Sequence, residues 1–385
     1  MNNFHKTKKS AAVLKHAILD QYATPFASKT GKTSLDHRVA FIDGYAGPGR
    51  YEDGEEGSGA MLLRKARDMA HFPRQVECHF VEDDEATVER LREVAAAEGA
   101  GVEYTIDDGD ISTHLPKLLK SAEGIPLFTY LDPCGLPIPL DEVASIFDRP
   151  SGPGAPATEV LINLTAHLRR FGGMLHSATP VEASLRRIDA VCGGEWWRNA
   201  WLEKCPTKNA SEDEKMAAEE AVVVGYAKQL RSRAGGAGTW IIDVRPRADL
   251  KPVYYLIFAT RYIDGMVTFG DSASLGLEAW RKYLAKVAAD GTLFGDDDAW
   301  EADWKEQEKI LKTQWVDMLA DRLSGELEKG ETFCIIERPK VLGDLAGVVR
   351  TLHFRAAINK VLKEGKTTTD PKGAKDLWRL PLKPA

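Results

Sequence analysis

Cysteine is scarce and poorly spaced for metal. The five cysteines, Cys78, Cys134, Cys192, Cys205 and Cys334, never fall two to four residues apart, so neither a zinc ribbon nor a disulfide framework is indicated. No metal is expected, and a reducing compartment fits. Long hydrophobic runs are missing too: none approaches the ~20 residues that cross a bilayer. The start, MNNFHKTKKS, is polar and basic with no apolar stretch behind it, which argues against a secretory leader. A cytoplasmic protein without a membrane span is expected. Internal repeats and low-complexity tracts are also lacking. What is present is an ordinary globular composition, 43% apolar and 28% charged over 385 residues. That argues against disorder and for two domains or one large domain with an appendage. Net charge is −7, and excess basic charge is confined to residues 331–385, with eleven Lys/Arg against six Asp/Glu.

The usual phosphate-binding fingerprints are absent as well. Gly31-Lys32-Thr33-Ser34 imitates the end of a P-loop, but Phe26 stands where the first glycine belongs, and the segment precedes a strand instead of following one. It reads as a solvated loop. The stretch VAFIDGYAGPG, residues 39–49, carries glycines at 44, 47 and 49. Their spacing is G-x-x-G-x-G, so the dinucleotide fingerprint G-x-G-x-x-G is not there. An apolar run that ends in Asp43 and passes into glycines reads as a buried parallel strand delivering a loop whose backbone can approach a ligand. Such a site suits a mononucleoside.

Around this stretch, strands alternate with helical patterns. Residues 8–26 carry a helical apolar stripe in which Tyr22 and Phe26 are expected to pack on the sheet. The strands QVECHFVE, GVEYTIDDGD, PLFTYLD and EVLINL follow, separated by helices, and predict a parallel sheet with right-handed crossovers. Residues 165–238 lack strand signals and read as a helical insertion over the sheet edge, in which Trp196, Trp197 and Trp201 build either a core, the simpler reading, or a stacking platform. TWIIDVRPR and VYYLIFATRY read as an antiparallel pair. The expected organisation is a Rossmann-like domain over 1–290, a connecting helix over 291–330, and a basic winged-helix-like domain over 331–385, whose tail carries the helices LGDLAGVVRTLHF and AAINKVLKEG and the strand LWRLPL.

Chemistry concentrates at the strand ends, where open α/β sheets bind ligands. A carboxylate after the second strand, Glu82, can accept from both hydroxyls of a ribose. Asp110, after the third, is placed to accept from an adenine amine. With Asp43, Gly44, Gly47 and Gly49, these describe a pocket for S-adenosylmethionine better than one for a dinucleotide. Asp132 precedes Pro133, which favours extended backbone there, and could accept hydrogens from a target amine or remove its proton. His167, Arg169 and Arg170 are candidate substrate contacts. Cys134 invites the idea of a thiolate attacking a cytosine, but a small residue filling the turn is the simpler reading. His79, alternating with apolar residues in a strand, reads as structural.

The residues FIDGYAGPGRYEDGEEGS (41–58), the FVEDD strand end at Glu82 and LDPCG (131–135) together resemble the three-Cys-motif partner protein family, a bacterial group with a methyltransferase-like Rossmann fold. The resemblance extends to the KHAILDQY helix and, more weakly, to the basic tail. It implies S-adenosylmethionine-dependent methyl transfer, with Asp43, Gly44, Gly47, Gly49, Glu82 and Asp110 lining the cofactor and Asp132 facing the acceptor. It also implies a partner with three cysteines, similar to radical S-adenosylmethionine proteins. The chain departs from the family's usual proline after the Gly-Ser pair by carrying Gly59. The Asp-Pro-x-Gly element is also similar to that of transfer-RNA guanine amine methyltransferases.

The expectation is therefore a class I methyltransferase sheet with a helical insertion and a basic tail that holds nucleic acid, acting on an amine of a nucleobase in RNA or DNA. Two alternatives stay open: a cofactor-sensing nucleic-acid-binding protein without catalysis, read through Arg350–Lys366, and a methyltransferase for a partner protein or small metabolite.

Overall fold

Seven strands form one sheet in the computed structural model, which describes residues 10–165, 168–177, 181–245, 250–290 and 299–385. They are β1 (Arg38–Asp43), β2 (Gln75–Glu82), β3 (Glu103–Asp108), β4 (Leu127–Leu131), β5 (Thr158–Thr165), β6 (Gly238–Val244) and β7 (Tyr254–Thr260). The spatial order is β3-β2-β1-β4-β5-β7-β6. The first five run parallel, and β7 lies antiparallel between β5 and β6. This is the Rossmann-like class I methyltransferase sheet. The expected antiparallel pair is present, and the central parallel strands β1 and β4 are buried almost throughout because helices cover both faces, while the edge strand β3, EYTIDD, is polar and partly exposed.

The chain divides after Thr268 into two compact units. In the first, α1 (Ser10–Thr30) covers one face of the sheet. Tyr22 and Phe26 are buried there, as their stripe predicts, against Phe41, Phe128 and Phe258 with ring centroids 5.3–6.1 Å apart. Alternate residues of the same strands, Ala40, Ile42, Leu127 and Leu131, point into the core on the opposite face. That period of two divides the sheet between its helical layers. α2 (Ser58–Met69) and α3 (Glu85–Glu98) follow β1 and β2, and α4 (Ile111–Ser121) and α5 (Leu140–Ser145) follow β3 and β4.

The insertion is helical as expected: α6 (Leu168–Met174), α7 (Glu182–Cys192), α8 (Trp196–Lys204) and α9 (Glu212–Arg233). Trp197 and Trp201 are buried, and the Trp197 indole donates to Asp189 at 2.7 Å. A Cβ on Gly172 would meet the Trp201 ring, and one on Gly225 would meet Trp196. The tryptophans therefore build a core and leave no open stacking platform.

α10 (Ile263–Asp290) crosses the division between the units. In the second unit, α11 (Ala299–Leu327) and α12 (Thr351–Lys363) pack together, Trp315 lying 5.6 Å from the His353 ring and Lys360 pairing with Asp317 at 2.8 Å. Here the expected succession of two helices and a strand gives way. LGDLAGVVR forms 3-10 turns and irregular backbone, because Gly343 and Gly347 take φ of +50° and +73°, values that a right-handed helix cannot contain. TLHF and AAINKVLK fuse into α12, and LWRLPL makes only an isolated bridge, Leu382 to Phe333. The helix-turn-helix anticipated for a winged helix is not formed in that way.

Candidate functional site

The strand order reverses between β1 and β4, and at such a switch point the loops diverge and leave a crevice. The loop after β1 climbs from there. The Gly44 amide donates to Tyr130 O at 3.0 Å and the Ala46 amide to Val81 O at 3.0 Å, tying the loop to β4 and then to β2. Gly47 and Gly49 have φ of +59° and +76°, where only glycine is free of strain. Gly44 serves packing instead: a Cβ there would lie 2.7 Å from the Leu131 side chain. Beyond Gly49 the chain forms a small hairpin, with Tyr51 N–H donating to Glu55 O at 2.9 Å, and the Gly57 amide returns to Gly49 O at 2.8 Å. Gly59 opens α2 in a tight fit, since a Cβ would lie 2.9 Å from Leu91 and 3.3 Å from Gly49 Cα.

The expected acids arrive at this crevice in different states. Asp43 is fully buried; its Oδ1 accepts from the Tyr45 amide at 3.3 Å and its Oδ2 has no partner among the described residues. Burial, opposed by the Ser58 hydroxyl and Tyr45 amide and reinforced by Asp132 and Glu82, pushes its carboxyl up to about 7. Glu82 accepts from the Gly47 amide at 2.9 Å and from the Asp83 and Asp84 amides at 3.2 Å. Burial keeps it above the ordinary carboxylate value. Asp110 lies two residues beyond the end of β3, not on the strand, and caps α4 by accepting from the Ser112 amide at 2.7 Å. It faces Tyr45, whose phenol is pushed up first by burial and then by the Asp110 charge.

Asp132 is the most heavily engaged residue. Lys15 Nζ donates to both its oxygens at 2.8 Å, the Asn163 amide donates to Oδ1 at 2.6 Å, and the Tyr130 hydroxyl donates to Oδ2 at 2.9 Å. Burial pushes this carboxyl up, yet the Lys15 ammonium and the two hydrogen bonds outweigh it and hold Asp132 below the ordinary value. A carboxylate so stabilised is a weak general base, which sets aside the expectation that it removes the acceptor's proton. Its lone pairs are also taken, so a direct bond to a target amine is not open in this arrangement.

Of these acids only Asp132 lines the solvent-open cleft, which is walled by Gly47, Pro48, Tyr51, Asp132, Pro133 and Tyr254 together with Lys15 and His16 of α1. Tyr254 reaches the rim because β7 runs antiparallel: its first residue pairs with Thr165 at the end of β5. Lys15 Nζ stands 4.3 Å above the Tyr254 ring, and His16 meets Tyr51 at 5.9 Å between centroids.

Lys15, His16, Tyr51 and Tyr254 were not singled out from sequence. For Lys15 a signal existed, because position 15 falls on the apolar stripe of positions 11, 14, 18, 19 and 22, where a lysine is out of place without a buried partner.

The expected substrate contacts fare differently. His167 lies outside the described residues. Arg169 does not line the cleft; it donates to the buried Glu219 of α9 at 2.7 Å and pairs with Glu212 at 3.3 Å. A buried carboxylate demands such a partner. Arg170 is exposed on α6, also away from the cleft lining. Cys134 borders the cleft, but partial burial and the Asp132 charge push its thiol up, opposite to what a thiolate nucleophile needs. His79 is structural, as expected, accepting or donating at 2.9 Å to Thr105 within the sheet. Among the described residues no cluster of His, Cys, Asp or Glu is arranged to hold a metal.

No known family model matches this chain, and no curated protein does. Solved methyltransferase structures align with it only weakly. The O-methyltransferase TomG from Streptomyces achromogenes, in complex with SAM, is 10% identical over 67% of this chain and 92% of that one, with a TM-score of 0.29. The geranyl diphosphate C-methyltransferase from Streptomyces coelicolor A3(2) is 12% identical over 68% and 86%, with a TM-score of 0.28. Cofactor-bound Rv0187 from MTB is 13% identical over 66% and 89%, with a TM-score of 0.30. At these values no ligand or residue role transfers from them, and the fold assignment rests on the strand order.

Proposed function

We propose that this chain is an S-adenosylmethionine-dependent methyltransferase whose acceptor is a nucleobase nitrogen in RNA or DNA. The observation that carries the reading is the Glu82 carboxylate at the end of β2, fastened to the Gly47 amide of the glycine loop beside the β1/β4 switch point, where Gly47 and Asp132 line one cleft. The residues fit the cofactor. Gly47 leaves open space where a Cβ would stand, Glu82 retains a lone pair for a ribose hydroxyl beyond its three backbone bonds, and Asp110 has a second carboxylate oxygen for an amine. Asp43, Gly44 and Gly49 shape the loop under it.

When bound, S-adenosylmethionine supplies an electrophilic methyl group on a sulfonium, and the acceptor nitrogen takes that carbon as the carbon–sulfur bond breaks. The chain's own contribution is positioning and exclusion of water by the aromatic walls. Asp132 and Pro133 line the cleft at the end assigned to the acceptor.

The quoted motif residues support membership of the three-Cys-motif partner family, with its three-cysteine partner protein, and a cytoplasmic setting is consistent with them; among the described residues no helix is long and apolar enough to cross a membrane. The tail as a nucleic-acid holder is the least supported part. Arg350 pairs with Glu278, Lys360 with Asp317, and Arg355 donates to backbone carbonyls within its own unit.

The test is thermal stabilisation followed by methyl transfer. At ~100 times its dissociation constant S-adenosylmethionine should stabilise the folded protein by ~2.7 kcal/mol, and NAD and ATP should not. Methyl-labelled cofactor should then mark cellular RNA or DNA. Binding without label in any nucleic-acid fraction would defeat the acceptor assignment, and absence of binding would defeat the whole reading.

A further inference from the structure

We infer that Lys15, not Asp132, is the residue that meets the acceptor, and that the acceptor presents a carbonyl or anionic oxygen beside the atom to be methylated. The inference rests on the methyltransferase reading above. Asp132 Oδ1 accepts from Lys15 and Asn163, and Oδ2 from Lys15 and Tyr130. A carboxylate offers about four lone-pair sites, so Asp132 is saturated. An ammonium carries three N–H groups, and two of those on Lys15 go to Asp132. No other described residue accepts from the third.

The Lys15 side chain is only 9% exposed, yet it borders the cleft, with the Tyr254 ring along one flank. A charge-balanced cation in such a place gives a strong hydrogen bond to an incoming oxygen, because little water competes. The Tyr51 and Tyr254 phenols border the same space, and neither is engaged by a hydrogen bond from another described residue. An edge that shows only amine hydrogens would meet the ammonium donor against donor. A carbonyl or anionic oxygen would accept from it. Among nucleobases, guanine, cytosine, uracil and thymine carry such an oxygen, whereas adenine's acceptors are ring nitrogens alone. Asp132 is then a positioning residue that holds Lys15 in one rotamer, with Asn163 and Tyr130 fixing Asp132 in turn.

The test uses the full-length protein, methyl-labelled S-adenosylmethionine and total cellular RNA and DNA as probes, with the labelled products hydrolysed to nucleosides. Lys15→Met should bind the cofactor as the wild type does and lose at least ~30-fold in kcat/KM. Because Lys15→Met strands a buried carboxylate, Lys15→Met/Asp132→Asn, which removes both charges, is measured alongside. A merely structural ion pair predicts recovered activity in the double variant; a contact role for Lys15 predicts that it folds, binds cofactor and stays inactive. Label on guanine, cytosine, uracil or thymine supports the inference. Label on adenine, or full activity in either Lys15 variant, overturns it alone. Absence of transfer by the wild type overturns the methyltransferase reading and this inference with it, and the cofactor-binding shift shows how far that failure extends.

Discussion

The Gly47 amide donates to the Glu82 carboxylate at 2.9 Å, joining the loop after β1 to the end of β2. Two elements 35 residues apart in sequence thereby meet behind Gly47, which lines the cleft. Glu82→Gln keeps the shape but loses the charged acceptor, and hydrogen bonds to charged groups contribute ~1.5–3 kcal/mol. Calorimetric affinity for S-adenosylmethionine should fall by ~10–100-fold while the unliganded protein melts within a few degrees of the wild type. Unchanged affinity would remove Glu82 from the site.

Gly47→Ala should act on the same contact through the backbone. At φ +59° an L-residue costs ~1–2 kcal/mol, and although open space surrounds the position, the loop will relax away from Glu82. Weaker cofactor binding with a modest fall in urea midpoint is expected. A variant that binds as tightly as the wild type would show that the loop tolerates another path.

A second buried carboxyl reports on pH. Glu159 accepts from the Tyr22 and Thr260 hydroxyls, and burial pushes it up to about 7 despite them. Between its unfolded value of ~4.3 and about 7, the folded state holds a proton that the unfolded chain has released. Its contribution is therefore complete below the unfolded value and is lost as pH rises through about 7. Glu159→Gln cannot ionise, so from pH 4.5 to pH 8 the wild type should lose up to ~3 kcal/mol relative to the variant. Parallel stability curves for the two proteins would contradict this.

Gly172 on α6 touches the Trp201 ring so closely that a Cβ has no room. Gly172→Ala should destabilise the insertion by ~1–3 kcal/mol through overpacking, visible as a changed Trp fluorescence transition. An unaltered midpoint would mean that α6 shifts without penalty.

Arg350 should prove structural. Its side chain is 12% exposed and pairs with Glu278, so Arg350→Ala is expected to lower the melting temperature of the second unit while leaving the salt dependence of RNA binding unchanged. A salt slope reduced by about one unit would instead mark a phosphate contact.

Much of the sheet was legible from the chain. Continuously apolar strands such as Val39–Ile42 and the intervening helical stripes imply parallel order, and the short connection between TWIIDV and VYYLIFAT implies antiparallel pairing. The tail was less so: LGDLAGVVRTLHF has a helical apolar pattern, and the pattern says nothing about Gly343 and Gly347 turning to positive φ. Of the site, the sequence placed the acids at strand ends. It did not place Lys15, because its partner Asp132 lies 117 residues away.

By itself, then, the sequence determined which residues end strands, where glycine must stand and which faces are apolar, because these follow from short-range periodicity and backbone sterics. Only the tertiary structure decided what each acid does. Asp110 became a helix cap, Asp43 a buried acid with a raised carboxyl, and Asp132 an ionised partner of Lys15. Charge state and hydrogen-bond occupancy depend on burial and on neighbours brought from distant strands and helices, and no local pattern encodes them.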